Sequence, residues 1–191
     1  MIYNKIIKPQ NSSSIKPKNI SFLSFLPTFG SIKQPFLQIN RINNIYAKTK
    51  HNEVESRIDY AKSMKYFNEN PKNYEKALYY CKLSAMKYNI DAYFTLGIYY
   101  YCGIGMKEPN KSAAFKYLKA AALNGHAKAQ YCYGICLANG EGVKMNRTKA
   151  VRYFRLSADN GYDEAQYCYG RCLFNAFGIK KDYKEAAKYF K

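Results

Sequence analysis

Tryptophan is absent from the 191 residues, histidine occurs twice, and 13 acidic residues stand against 31 basic ones. His51 and His126 leave little material for imidazole-based acid-base or metal chemistry, and enzymes of those kinds lean on imidazole and on convergent carboxylates. No catalytic set, cofactor site or metal site can be assembled from what remains, so a non-enzymatic protein that uses no cofactor is expected. Long apolar runs are missing as well. The longest, ISFLSFLP at residues 20–27, is interrupted by two serines and falls far short of the roughly 20 apolar residues that span a bilayer. A transmembrane segment is excluded on that ground.

Acid is also missing locally. Residues 1–52 hold eight Lys and Arg and no Asp or Glu, whereas residues 53–191 carry 23 basic and 13 acidic residues, a net of +10. The first segment has no sustained helical or strand period and contains the polar cluster Asn11-Ser-Ser-Ser14, the signature of loop or disorder. It reads as a largely disordered basic segment, with residues 53–191 as the folded part. A basic tail and an organelle transit peptide both fit its composition, although such peptides prefer Arg and only Arg41 is present. A secretory signal fits poorly, because its apolar stretch would start as late as Ile20. The compartment stays open, with the cytoplasm placed ahead of a mitochondrial or plastid-type organelle.

What the chain does have is repetition. Asp91-Ala-Tyr-Phe-Thr-Leu-Gly97, Lys128-Ala-Gln-Tyr-Cys-Tyr-Gly134 and Glu164-Ala-Gln-Tyr-Cys-Tyr-Gly170 set one glycine at spacings of 37 and 36. A small-x-Gly turn follows each: Gly103-Ile-Gly105, Gly140-Glu-Gly142 and Ala176-Phe-Gly178. A second block begins at Ala114, Ala150 and Ala186, with an earlier copy at Ala77. Within both blocks apolar residues recur at i, i+3, i+4, i+7 and i+8, the stripe of a helix with one buried face. Examples are Ala129, Cys132, Tyr133, Cys136 and Leu137 in the first block, and Ala114, Tyr117, Leu118, Ala121 and Ala122 in the second. Each unit is an antiparallel helical hairpin, and Gly97, Gly134 and Gly170 sit where two helices must approach closely. Gly125 and Gly161 are placed to end the second helices, while Tyr88 at the same place casts doubt on the first of these caps.

The run Ala-Gln-Tyr-Cys-Tyr-Gly-Ile-Cys-Leu-Ala-Asn-Gly-Glu-Gly-Val at 129–143, with Asp182-Tyr-Lys-Glu-Ala-Ala, resembles the Sel-one-like repeat family, relatives of tetratricopeptide repeats. The resemblance covers residues 72–191, residues 53–71 look like a degenerate first helix, and the last copy looks truncated, so a fragment of a longer array is expected. It implies an all-α, right-handed α/α superhelix of hairpins with a 36–37-residue period, and a protein-interaction adaptor using a concave face.

On the first-block helices, Tyr93, Tyr131, Tyr167 and Arg171 lie beside the core stripe and are the candidate partner-binding residues; Tyr and Arg are enriched at binding hot spots. The competing assignment packs Tyr131 and Tyr167 between repeats. Cys81, Cys132, Cys136, Cys168 and Cys172 fall on the buried stripes and read as core thiols. Gly140-Glu-Gly142 follows a helix and carries an acid, so it is a turn and not a phosphate loop. The one Ser-x-x-Lys tetrad, at 13–16, has no partner motif and is a chance match. The partner favoured is another protein. Nucleic acid is the alternative, motivated by the +18 charge and 21 tyrosines, but no basic run appears, so the charge reads as a solvated surface.

Overall fold

A computed structural model describes residues 35–190 apart from residue 70, with side chains from residue 45 onward. The segment 1–34, including the tetrad at 13–16 and most of the stretch 1–52 considered as a transit peptide, lies outside the described residues. Among the described residues eight helices follow in order: α1 (Pro35–Asn68), α2 (Tyr74–Met86), α3 (Ile90–Cys102), α4 (Lys111–Leu123), α5 (Ala127–Asn139), α6 (Arg147–Asp159), α7 (Asp163–Asn175) and α8 (Tyr183–Tyr189). The chain divides into two units, Met1–Lys48 and Thr49–Lys191. Of the first, the described part is helical. Residues 35–52, expected to be irregular, belong to α1, which opens at Pro35, where a missing N–H is tolerated and φ is already helical.

The second unit is a superhelix of antiparallel hairpins, α3 with α4, α5 with α6 and α7 with α8. One backbone bond repeats in each turn between first and second helix: Asn110 N–H to Tyr100 O, Asn146 to Leu137 and Asp182 to Leu173, at 2.8 to 3.1 Å. The same bond joins Asn73 to Tyr66 at 3.1 Å. Residues 56–68 of α1 therefore play the first-helix part to α2. Their turn has no Gly-x-Gly because only six residues separate Tyr66 from Asn73, against nine between Tyr100 and Asn110. This bond sets the register used below.

Polar residues start the helices. Asn73, Asn89, Asn110, Asn146 and Asp182 each accept a bond from the backbone N–H three residues on, at 2.8 to 3.1 Å, satisfying one of the donors a helix start leaves open. Left-handed residues end them. Gly103 and Gly140 close α3 and α5 with φ of 73° and 74°, and Ala176 closes α7 at φ 56°. Tyr88, whose cap was in doubt, adopts φ 64° beside Gly125 at 83° and Gly161 at 78°. Its N–H reaches Ala85 O at 2.9 Å, the bond Gly161 makes to Ala158. The cap forms in spite of the Cβ, whose left-handed placement is unfavourable by about 1–2 kcal/mol. Tyr88 is also 82% exposed. Tyr88→Gly, and likewise Ala176→Gly, should therefore raise stability by about 1 kcal/mol, read as a higher urea midpoint at constant slope.

The predicted stripes form the core. Ala92, Leu96, Tyr99, Ala129, Cys132, Tyr133, Cys136 and Leu137 are buried on first helices, as are Ala114, Leu118, Ala121, Ala150, Phe154 and Ala158 on second helices. Ala186 is 1% exposed. Tyr117 and Tyr153, placed on the stripe from sequence, are half-buried at its edge.

Candidate functional site

Register sorts the outward residues of the first helices into rows. Counting six back from Tyr100, Leu137 and Leu173 gives Phe94, Tyr131 and Tyr167; counting seven back gives Tyr93, Gln130 and Gln166. Tyr93 thus does not share a row with Tyr131 and Tyr167. It faces Tyr117, ring centroids 6.4 Å apart, while its row mates join successive hairpins. Gln130 donates to Ala122 O at 3.3 Å and accepts from Asn160 at 2.9 Å; Gln166 donates to Ala158 O at 3.4 Å. In the first hairpin Asp59 and Lys87 occupy the places of Gln130 and Asn160, and an ion pair of 2.8 Å replaces the amide bond. A long polar side chain beside an apolar stripe looks solvent-facing in sequence, which is why this cross-tie was missed.

The other row is aromatic throughout. Phe94 is buried and stacks on His126 at 4.5 Å. Tyr131 is half-buried between Phe154 at 5.8 Å and Tyr162 at 5.4 Å, and burial pushes its hydroxyl up to about 12. Each of these two packs on the residue that starts the next first helix, so the row does close the joint between hairpins. Tyr167 is 58% exposed, touching Phe190 at 5.8 Å, with the Arg171 guanidinium 5.8 Å from its ring centroid. Phe174, one turn on from Arg171, is exposed as well. Tyr131, Tyr167, Arg171 and Phe174 thus share one face of the first-helix layer.

His126 starts α5 with its ring, Nδ1 accepting from Ala129 N–H at 3.1 Å, so that nitrogen carries no proton. Burial holds its pKa below the ordinary value, offset in part by Asp91, 3.5 Å from Nε2. A depressed histidine contributes stability that is full above the unfolded value near 6.5 and is lost as pH falls through the folded one. Urea midpoints should therefore drop on acidification below about pH 6.5 more steeply in the native chain than in His126→Asn, which keeps the cap as Asn89 does. Parallel pH profiles would remove the assignment.

The six cysteines are free. Cys81, Cys132, Cys136 and Cys172 are buried; Cys168, expected in the core, is half-buried, and Cys102 is exposed. Burial pushes the Cys81 and Cys132 thiols up to about 12. Among the described residues no three His, Cys, Asp or Glu side chains come together as metal ligands, and no helix is long and apolar enough to cross a membrane.

Gly97, Gly134 and Gly170 lie at the contact between the two helices of a hairpin. A Cβ there would come within 2.7 Å of Leu118, 2.6 Å of Phe154 and 2.9 Å of Phe190 respectively.

A family model for the Sel1 repeat matches residues 66–89, 90–126, 127–162 and 163–191. Among solved structures, the chain is similar to a Sel1 repeat protein from Oxalobacter formigenes, with a TM-score of 0.64 and 25% identity over 71% of this chain and 54% of that one. It is also similar to a protective antigen of uropathogenic Escherichia coli displaying an SLR fold, with a TM-score of 0.68 and 30% identity over 75% of this chain and 31% of that one. The chain thus spans about half the length of the first protein and about a third of the second. No curated protein matches it.

Proposed function

Because the chain belongs to the Sel1 repeat family, whose members generally serve as protein-interaction scaffolds and are generally non-catalytic, we propose that it is a non-enzymatic adaptor that captures a partner protein on its first-helix layer. One observation carries this reading: the first-helix layer repeats an aromatic residue at one register, Phe94, Tyr131 and Tyr167, with Arg171 and Phe174 on the same face. Stacked hairpins offer such a row as one extended concave surface, and large aromatic and guanidinium side chains supply most of the affinity at protein interfaces. This layer is close to neutral, so the contact should be apolar and withstand salt.

The test is capture of partners by the full chain at low and high salt, with nuclease present, identified by mass spectrometry. Discrete proteins should survive high salt and be lost with Tyr167→Ala/Arg171→Ala/Phe174→Ala, whose exposed positions leave the fold intact. Capture that is unchanged in this variant removes the surface from consideration. Recovery that is wholly salt-labile and nuclease-sensitive, with no protein retained at high salt, removes the adaptor reading itself.

A further inference from the structure

The charge of the array is divided unequally between its two layers. The first helices α3, α5 and α7 hold two basic and three acidic residues; the second helices α2, α4, α6 and α8 hold eleven basic and three acidic. Averaged over residues 53–191 the excess looks diffuse, and only the assignment of residues to layers shows where it is. It also recurs at fixed places. Lys116-Tyr-Leu-Lys119, Arg152-Tyr-Phe-Arg155 and Lys188-Tyr-Phe-Lys191 repeat one pattern, with Tyr79-Tyr-Cys-Lys82 as a weaker first copy.

Helix geometry turns this pattern into a surface. The third residue of each tetrad points inward, Leu118 and Phe154 being 1% and 3% exposed. The first and fourth, three apart on the helix, then stand together on the outer side, and Lys116, Lys119, Arg152 and Arg155 are all exposed. Tyr117 and Tyr153 are half-buried beside them, their rings packed on Tyr100 of α3 and Tyr133 of α5. Helix α4 contains no carboxylate, and α6 has only Asp159, which approaches Arg155 at 3.7 Å. Helix α1 answers Arg57 with Glu53 at 2.7 Å and His51 with Glu55 at 3.0 Å, and α8 answers Lys188 with Glu185 at 2.6 Å, whereas α4 offers Lys116 and Lys119 no such partner. The turn between α5 and α6 rests on the start of α4, Gly142 against Lys111, so the tetrads of α4 and α6 stand at the same register on adjoining hairpins, and α6 and α8 meet where Tyr189 donates to Asp159 at 3.4 Å.

We propose that the second-helix layer is a binding ridge for single-stranded nucleic acid, a surface distinct from the aromatic row of the first helices. Phosphates sit on Lys116, Lys119, Arg152 and Arg155, and the edges and hydroxyls of Tyr117 and Tyr153 meet bases and sugars between them. A flexible linear polyanion fits cations and aromatics repeated in a row. An anionic bilayer would draw on a wide apolar face, whereas the apolar member of each tetrad faces the core and α4 and α6 each expose a single leucine beside the cations, Leu123 and Leu156.

The test is fluorescence anisotropy of the full chain with a labelled oligouridylate of about 20 nucleotides, titrated over a salt series. Binding at ~100 mM salt is expected, with log affinity falling by about 3 per decade of salt, as four neutralised phosphates require. Lys116→Glu/Lys119→Glu/Arg152→Glu/Arg155→Glu should weaken it by about a hundredfold or more. The same reversal on exposed loop residues, Lys107→Glu/Lys144→Glu/Lys180→Glu/Lys181→Glu, matches the net charge and should retain most of the affinity. Should the ridge reversal unfold the chain, glutamine at the same four positions carries the comparison. Equal loss in both variants, no binding at ~100 mM salt, or preference for a DNA duplex, polyglutamate or anionic vesicles overturns the proposal.

Discussion

Gly142→Ala should destabilise the array by about 2–5 kcal/mol, although Gly142 is exposed to solvent and an exposed loop position seldom moves stability by more than about 0.5 kcal/mol. Two effects add. The residue has φ 71°, where any Cβ is unfavourable by about 1–2 kcal/mol. The new Cβ would also run into the backbone carbonyl of Lys111, the first residue of α4 in the preceding hairpin. Backbone at a helix start cannot swing aside as a side-chain tip can, so the overpacking penalty of about 1–3 kcal/mol applies. Gly105 and Gly178 meet Tyr74 and Arg147 in the same way, at 2.6 and 2.7 Å, and these too are the first residues of second helices. The second glycine of each turn is thus the place where one hairpin rests on the last. Gly125 supplies the control: its φ is 83°, and nothing lies within 4 Å of a Cβ built there. Gly125→Ala should show the backbone penalty alone, about 1–2 kcal/mol. If the two variants unfold at the same urea concentration, the turn glycines do not set the hairpin stacking.

That stacking role explains why the glycines could be found in the sequence while their partners could not. Period and stripe identified the hairpins, the core alanines and cysteines, and the helix glycines, because each depends on spacing within one helix. Contacts between hairpins depend on which residue of the neighbour lies opposite, and no local period encodes that. The cross-ties of Gln130 and Gln166 went unseen for this reason, and Tyr93 was grouped with Tyr131 and Tyr167 as a binding candidate although Phe94 holds the equivalent place. Conformation at single residues escaped too. Tyr88 adopts a left-handed cap against its own preference because Asn89 N–H and Ser84 O still close the turn at 3.3 Å. Of the proposed binding face, Tyr131, Tyr167 and Arg171 were legible as aromatic and cationic places beside the stripe. The packing of Tyr131 on Tyr162 was not, since that contact lies between hairpins.

The close contact inside each hairpin gives the last prediction, a coupled one. Pairs at this contact conserve total size: Gly97 faces Leu118, Gly134 faces Phe154 and Gly170 faces Phe190, while in the first hairpin Ser63 takes the glycine place and the opposing residue shrinks to Cys81. Ser63 also uses its hydroxyl, donating to Ala77 O at 2.8 Å; Ala150 O lies 3.2 Å from a Cβ built on Gly134, so the same bond is open to a serine there. Gly134→Ser alone should be unfavourable by about 1–3 kcal/mol, because the Phe154 ring already occupies the space. Phe154→Cys alone should lose about 3–5 kcal/mol by opening a cavity under that glycine. Combined, each change fills or vacates what the other requires, and the double variant should be less destabilised than the sum by about 1–2 kcal/mol. Urea unfolding of the four proteins closes the cycle. Strict additivity would mean that glycine and ring do not compete for one volume, and that Ser63 and Cys81 met by chance. A coupling of the expected sign would make the first hairpin an alternative solution to the same packing problem, reached by moving bulk from the second helix to the first.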